Sequence, residues 1–401
     1  MKKHLIFVFF LFSGSTVAQI NVKDRGVDCT GRTDSSGALN ALFTSITQQE
    51  VDFPSTCQIR ADHTVMIFGQ SAFVLHGSGN LPGVAGFGGP SIFGCNGAPG
   101  PVLHINRSGY YRIEGLGIYA QGPRTICSSR FTTSIQLDNT GRGGVTGHQA
   151  VLDHVSLTSN PQGGRVKGYI GVLITGATNN ERIAITNGWI HCQNSPDSAA
   201  IDLEAPDSDN DKAENNDLSS CLLGIKHNGG NMRIVGNMFT ADGAFSVFGA
   251  GGAAIYVGAQ ASGPINIEGN EETDGGPFLN SANDLAGHGG AGAVNMIGNV
   301  MGISDMSTSA YPINLGTTNG YGSSVTGAFI LLGNDIYITQ RGVTKAVIGS
   351  DSQGHCKWGP LGKLIDIGNT NHFPANTVRW SGCPGDGKDF QQGHTIISSP
   401  N

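Results

Sequence analysis

Val22-Lys23-Asp24-Arg25-Gly26-Val27-Asp28-Cys29-Thr30-Gly31-Arg32-Thr33-Asp34 leads into an apolar stripe, Leu39, Leu42, Phe43 and Ile46, and then into Val51-Asp52-Phe53-Pro54. The stripe falls at i, i+3, i+4 and i+7, one face of a helix, and Thr33 or Asp34 stands where an N-cap oxygen is wanted. Val51 to Phe53 alternates apolar and polar before a proline that ends it, as a short strand does. Outward from this segment helical periodicity disappears. Gly accounts for 62 of 401 residues, and charged residues for 13% where about 25% is usual. That composition excludes a coiled coil or helical bundle, which needs Ala, Glu, Lys and Leu in bulk. Disorder is excluded by 38% hydrophobic residues and 18 Phe. Many short Ile, Val and Leu runs among Gly, Asn, Ser and Thr point to an all-β protein.

The first residues read as a leader. Lys2 and Lys3 precede an apolar run from Leu5 to Phe12 and small residues up to Ala18, so residues 1–18 are expected to be a secretory signal peptide. The run is too short to span a bilayer, no later stretch qualifies, and no membrane span is expected. Removing the leader takes the formal charge from −7 to about −9, which disfavours bulk attraction to nucleic acid. Eight cysteines in an exported chain read as disulfides, with 105 pairings open. Nearest-neighbour pairing would give Cys29–Cys57, Cys95–Cys127, Cys192–Cys221 and Cys356–Cys383; no CxxC pair argues for zinc.

Downstream the chain repeats. Apolar strands end in Gly-Asn at Gly236-Asn237, Gly269-Asn270, Gly298-Asn299, Gly333-Asn334 and Gly368-Asn369, with the asparagines 33, 29, 35 and 35 residues apart. A solenoid coil needs inward Ile, Leu and Val on short strands and corner residues that tolerate positive φ, which Gly and Asn supply. A β-sandwich would show hairpins every 8–12 residues instead.

The opening segment resembles the N-terminal signature of the pectate-lyase-like superfamily of right-handed parallel β-helices, whose helix plugs the open end of the coil. Asp28-Cys29-Thr30-Gly31 replaces that family's usual Gly-Asp-Gly, and Ser35-Ser36 its Asp-Thr. The resemblance implies residues 19–60 as an N-terminal cap stapled by Cys29–Cys57, and residues 61–349 as the parallel β-helix. From Gly349 the texture changes, and residues 350–401, with Cys356, Trp358, Trp380 and Cys383, are expected to form a disulfide-stapled C-terminal cap. The resemblance also implies a secreted protein that cleaves an extracellular polysaccharide as a glycoside hydrolase or polysaccharide lyase. The competing expectation is a non-catalytic adhesin, structural or glycan-binding β-helix.

Candidate chemistry follows from strand alternation. Ala199 to Glu204 puts Ile201 and Leu203 inward and Asp202 and Glu204 outward, two carboxyls about 7 Å apart along the strand. Such a pair suits acid and base, or nucleophile and acid, in glycoside cleavage. Aligning Ile201–Leu203 with Leu223–Ile225 places Glu204 under Lys226. Glu268 is expected to line the same groove, with Lys226, His227, Arg233 and His288 as basic groups that bind substrate. Asp207, Asp209 and Asp211 imitate the start of a calcium (Ca2+) loop, although Lys212 stands where that loop needs Gly. Thr273-Asp274-Gly275, Asn283-Asp284 and Gly287-His288-Gly289 look like polygalacturonase motifs but crowd together where successive coils should separate them, and are set aside.

Overall fold

The computed structural model describes residues 19–78, 89–128, 131–138, 149–176, 182–205, 208–240, 252–258, 261, 263–281, 294–303, 313–314, 328–338, 346–349, 363–367, 369–372, 378–380 and 396–398. Strands Asp211–Glu214, Asp217–Ser219 and Leu223–His227 make one representative turn of the chain. They join, in that order, a 13-stranded sheet A, a 12-stranded sheet B and an 11-stranded sheet C. Apart from the strands at the two ends of each sheet, every described strand pairs in parallel with its counterpart one turn earlier and one turn later, as Ala213 pairs Ala184's neighbour Ile185 on one side and Ile234 on the other. The architecture is the right-handed parallel β-helix expected from the repeat and the cap.

Inward side chains stack in rows one rung apart. In sheet A, Ile113, Leu152, Ile185, Ala213, Ile234, Ile267 and Met296 form such a row, and each is at most 1% exposed. Burial of one such Ile or Leu contributes roughly 1.5–3 kcal/mol. β-Branched residues fit these short, two-sided strands, which explains why, among the described residues, helix appears only at the end of the coil.

The corner between sheets A and B carries the repeat. Gly236, Gly269, Gly298 and Gly333 hold φ of 63°, 60°, 63° and 60°, the left-handed region that glycine enters without strain. The asparagine that follows does something else: it is buried in a continuous hydrogen-bonded ladder. Asn270 donates Nδ2–H to Ile234 O (2.9 Å) and to Asn299 Oδ1 (3.0 Å), while its Oδ1 accepts from Asn237 N (2.9 Å) and Asn237 Nδ2 (3.0 Å). The same set repeats through Asn299, Asn334 and Asn369. Asn216 extends the ladder by one rung beyond the five asparagines the repeat revealed. Its turn residue is Asn215, at φ 55°, so the Gly-Asn pattern hid it.

At the amino end a helix spans Ser36–Phe43 and buries Leu39, Leu42 and Phe43, with Ile46 behind them. Neither Thr33 nor Asp34 is the N-cap; that position is Ser35, which makes no side-chain cap bond. Asp34 serves from one residue earlier, accepting the Ser36 N–H (3.0 Å) and also the Asp62 N–H (2.9 Å). Asn40 accepts the Met66 N–H (2.6 Å) and donates to Thr64 O (3.3 Å), so the helix satisfies the free edge of strand Val65–Phe68, the first of sheet C. Cys29–Cys57, Cys95–Cys127 and Cys192–Cys221 are bridged as nearest-neighbour pairing expects.

Past Gly349 the stacking does not stop: strands Lys363–Ile367, Thr370–His372, Val378–Trp380 and Ile396–Ser398 continue the sheets into the segment read as a C-terminal cap. Cys356, Cys383 and the leader lie outside the described residues. Among the described residues no helix is long and apolar enough to cross a membrane.

Candidate functional site

The solvent side of sheet C carries the candidate site. Strands Ala199–Leu203, Leu223–His227 and Ala253–Val257 lie side by side, and their register aligns Asp202 with Lys226 and Lys226 with Tyr256. Asp202 is turned outward because its neighbours Ile201 and Leu203 fill the core, both 0% exposed. Glu204 follows as the strand ends, and Asn228 stands one rung above it.

Lys226 Nζ is 3.3 Å from Asp202 Oδ2 and also donates to Glu204 Oε1, while Asn228 Nδ2 donates to Glu204 Oε2 (2.9 Å). One ammonium therefore serves two carboxyls. Burial pushes the Asp202 carboxyl up to about 7, Glu204 adds to the rise, and Lys226 opposes it. Glu204 is also partly buried, but the hydrogen bonds from Lys226 and Asn228 outweigh burial and hold it below the usual range. Two acids two residues apart are thus pushed in opposite directions, the arrangement that suits acid and base roles at one site. Burial works against the Lys226 charge, but Glu204 and Asp202 outweigh it and keep the ammonium protonated. The Tyr256 phenol is pushed up by burial.

The register departs from the sequence alignment: Lys226 pairs with Asp202, 24 residues away, and Glu204 lies beside Asn228. Matching Ile201–Leu203 to Leu223–Ile225 was one pleat off, because both strands repeat apolar residues every second position. The lysine still reaches Glu204, diagonally.

Other expected groups are elsewhere. Glu268 and Arg233 stand on sheet A, 4.0 Å apart, the first half-buried and the second exposed, so they do not share the groove of Asp202 and Glu204. His227 alternates inward: its imidazole is 0% exposed in the core row with Leu203 and Val257, and burial drives it down to about 4. It therefore offers nothing to a ligand on the outer face. His288 and Asp207 lie outside the described residues. Asp209 accepts the Asn231 N–H (3.3 Å), and Asp211 is buried and accepts the Ile183 N–H (2.8 Å) and the Ser208 hydroxyl. These carboxylates are used to bind the chain's own corner, and among the described residues no three His, Cys, Asp or Glu side chains are grouped to hold a metal ion.

Sequence reasoning missed a second polar group on this face. Gln136 and Asp138 precede Leu173 and Thr175 by one rung, and these precede Asp202 and Glu204. His104 lies one rung below Gln136, with Nε2 3.6 Å from Asp138 Oδ2. Burial lowers the His104 imidazole despite the attraction of Asp138. The signal existed, since Ile135-Gln136-Leu137-Asp138 has the same alternation as Ile201-Asp202-Leu203-Glu204.

The sequence matches no family model. No curated protein matches it either. Solved structures do resemble it in fold. The endo-xylogalacturonan hydrolase of Aspergillus tubingensis is 11% identical with a TM-score of 0.55, the match covering 95% of this chain and 99% of that one. The catalytic unit of a thermostable α-1,3-glucanase from Streptomyces thermodiastaticus is 14% identical with a TM-score of 0.52, covering 96% of this chain and 70% of that one. Tailspike protein 2 of an Escherichia coli O157:H7 bacteriophage is 11% identical with a TM-score of 0.57, covering 91% of this chain and 46% of that one. The chain thus shares the right-handed parallel β-helix fold with these proteins.

Proposed function

We propose that this is a secreted glycoside hydrolase acting on an extracellular polysaccharide, with Asp202 as the proton donor to the leaving oxygen. The observation that carries the reading is the pair of neighbouring carboxyls bound to one lysine on the outer face of sheet C, the Asp202 carboxyl pushed up by burial and Glu204 held down by its hydrogen bonds. A hydrolase needs a carboxylic acid that keeps its proton near neutral pH, and Asp202 meets that need. A β-eliminating lyase needs a base at the same place, yet Lys226 and Tyr256 both hold their protons firmly. Glu204 and Asp202 share one ammonium and so lie too close together to flank a water. Asp138, two rungs from Glu204 and about 12 Å diagonally from Asp202 by strand spacing, stands beyond the separation that inverting enzymes use and is assigned to substrate binding. Leu173 and Thr175 lie between, leaving a floor for one sugar ring. Hydrolysis of polysaccharide is also what the glucanase and hydrolase of like fold are named for.

The test is an activity screen of the processed protein on neutral and uronate polysaccharides, reading reducing ends and the ultraviolet absorbance of unsaturated products together. Reducing ends without absorbance, lowered at least 100-fold in Asp202→Asn, support the assignment. Rising absorbance identifies a lyase and overturns it. Silence from folded wild-type protein, with retention on an immobilised glycan, supports a binding protein, in which the dyad and Lys226 form a structural ion pair.

A further inference from the structure

Glu272 occupies a position where the fold calls for a hydrocarbon. On sheet B the inward row runs Leu218, Phe239, Glu272, Met301, Ile336, and Glu272 is 1% exposed within it. Among the described residues neither Oε1 nor Oε2 has a hydrogen-bond partner. The side chain borders a cavity of about 10 Å³, the room of one water molecule, shared with Leu218, Phe239, Thr240, Gly224 and Ala254. Gly224 and Ala254 begin the strands that carry Lys226 and Tyr256, two residues further on.

We propose that Glu272 is a proton-dependent lock on the core behind the site, closed while its carboxyl is neutral and forced open when it ionises. Among the described residues, the groups facing it supply no compensation. The strands packed on it present Leu218, Phe239, Met301, Gly224 and Ala254, none of which titrates, and the nearby Cys221 is tied to Cys192. A carboxylate there would be an unpaired charge in hydrocarbon, an arrangement proteins avoid by neutralising the group or admitting water. Burial accordingly raises the carboxyl well above its ordinary value of 4.5. The sign follows from proton binding. In the unfolded chain Glu272 ionises near 4.5, whereas in the folded chain it keeps its proton to much higher pH. The folded state holds the extra proton, so stability falls as pH rises above about 4.5, until the folded carboxyl itself ionises. Across that window the folded-to-unfolded ratio loses about tenfold per pH unit. Water entering at the cavity would then loosen the beginnings of the two strands that hold Lys226 against Asp202. The proposal needs no catalysis and stands apart from the hydrolase reading.

Melting temperature from pH 5 to pH 8, compared between wild type and Glu272→Gln, tests it. All other titrating groups are common to both proteins, so the difference isolates this one carboxyl. The expected result is a gap that widens steadily with pH, Glu272→Gln melting ever further above wild type. A constant gap across the range overturns the proposal. Should Glu272→Gln fail to fold, Glu272→Met, which fills the same row without titrating, gives the same comparison. Backbone hydrogen exchange in residues 222–227 and 253–257 supplies an independent reading. Protection there is expected to fall with pH in wild type relative to the variant, and equal protection in both counts against the lock.

Discussion

Asp202 and Glu204 are chemically almost the same residue, and what separates them is placement. Asp202 sits deeper and receives one distant donor; Glu204, at the strand end, receives two close ones. A general acid must be protonated to act, so activity is expected to be full below pH 6 and to fall as pH rises through about 7, where Asp202 ionises. Lys226 holds that value down, so Lys226→Met should move the alkaline limb of the pH–rate profile upward by about one unit or more, with lower peak activity. An unmoved limb would mean that another group sets it. Glu204→Gln removes the carboxylate that raises Asp202 and should shift the same limb the other way. Of these residues, the outward direction of Asp202 and Glu204 was legible from alternation alone. That one would be acid and the other base was not, because it depends on a lysine from the next turn and on a pairing register that short apolar strands leave ambiguous by one pleat.

At the scale of elements, the asparagine ladder holds the tightest corner of every coil from Asn216 to Asn369. Replacing Asn270 with Leu would leave the Ile234 carbonyl and the Asn237 N–H buried without partners. At about 1–3 kcal/mol for each orphaned group, the variant should lose roughly 3–5 kcal/mol in denaturant unfolding. A loss under 1 kcal/mol would show that the ladder is ornamental. Sequence periodicity exposed five of the six asparagines because glycine marked them. It mistook their task, however, crediting Asn with the left-handed turn that Gly or Asn215 supplies. In earlier coils Leu116 and Val155 occupy the ladder position and are fully buried, so there the corner is hydrocarbon and no repeat could be read. Glu268 and Arg233 were misplaced for a related reason. Outward residues recur on all three sheets, and a sequence shows that a side chain leaves the core without showing in which direction.

The whole molecule was the most legible level, since a plug helix, Gly-Asn corners and the absence of hairpin spacing admit few alternatives. The position of the site on one of three faces was the least legible, since it follows from how many residues each loop takes before the chain returns.

The helix Ser36–Phe43 has one more consequence. Each coil is a template for the next, so a parallel β-helix has no intrinsic length, and its ends are growth faces. Asn40, by occupying the hydrogen-bonding groups at Thr64 and Met66, acts as a chain terminator for that growth. A protein beginning at residue 47, with Cys57→Ser to avoid a stray thiol, is expected to assemble end to end into filaments whose length rises with concentration, visible by light scattering. If it stays a monomer, the terminator lies elsewhere. On this view residues 19–46 do not merely finish the fold; they keep a polymer of coils from continuing into its neighbours.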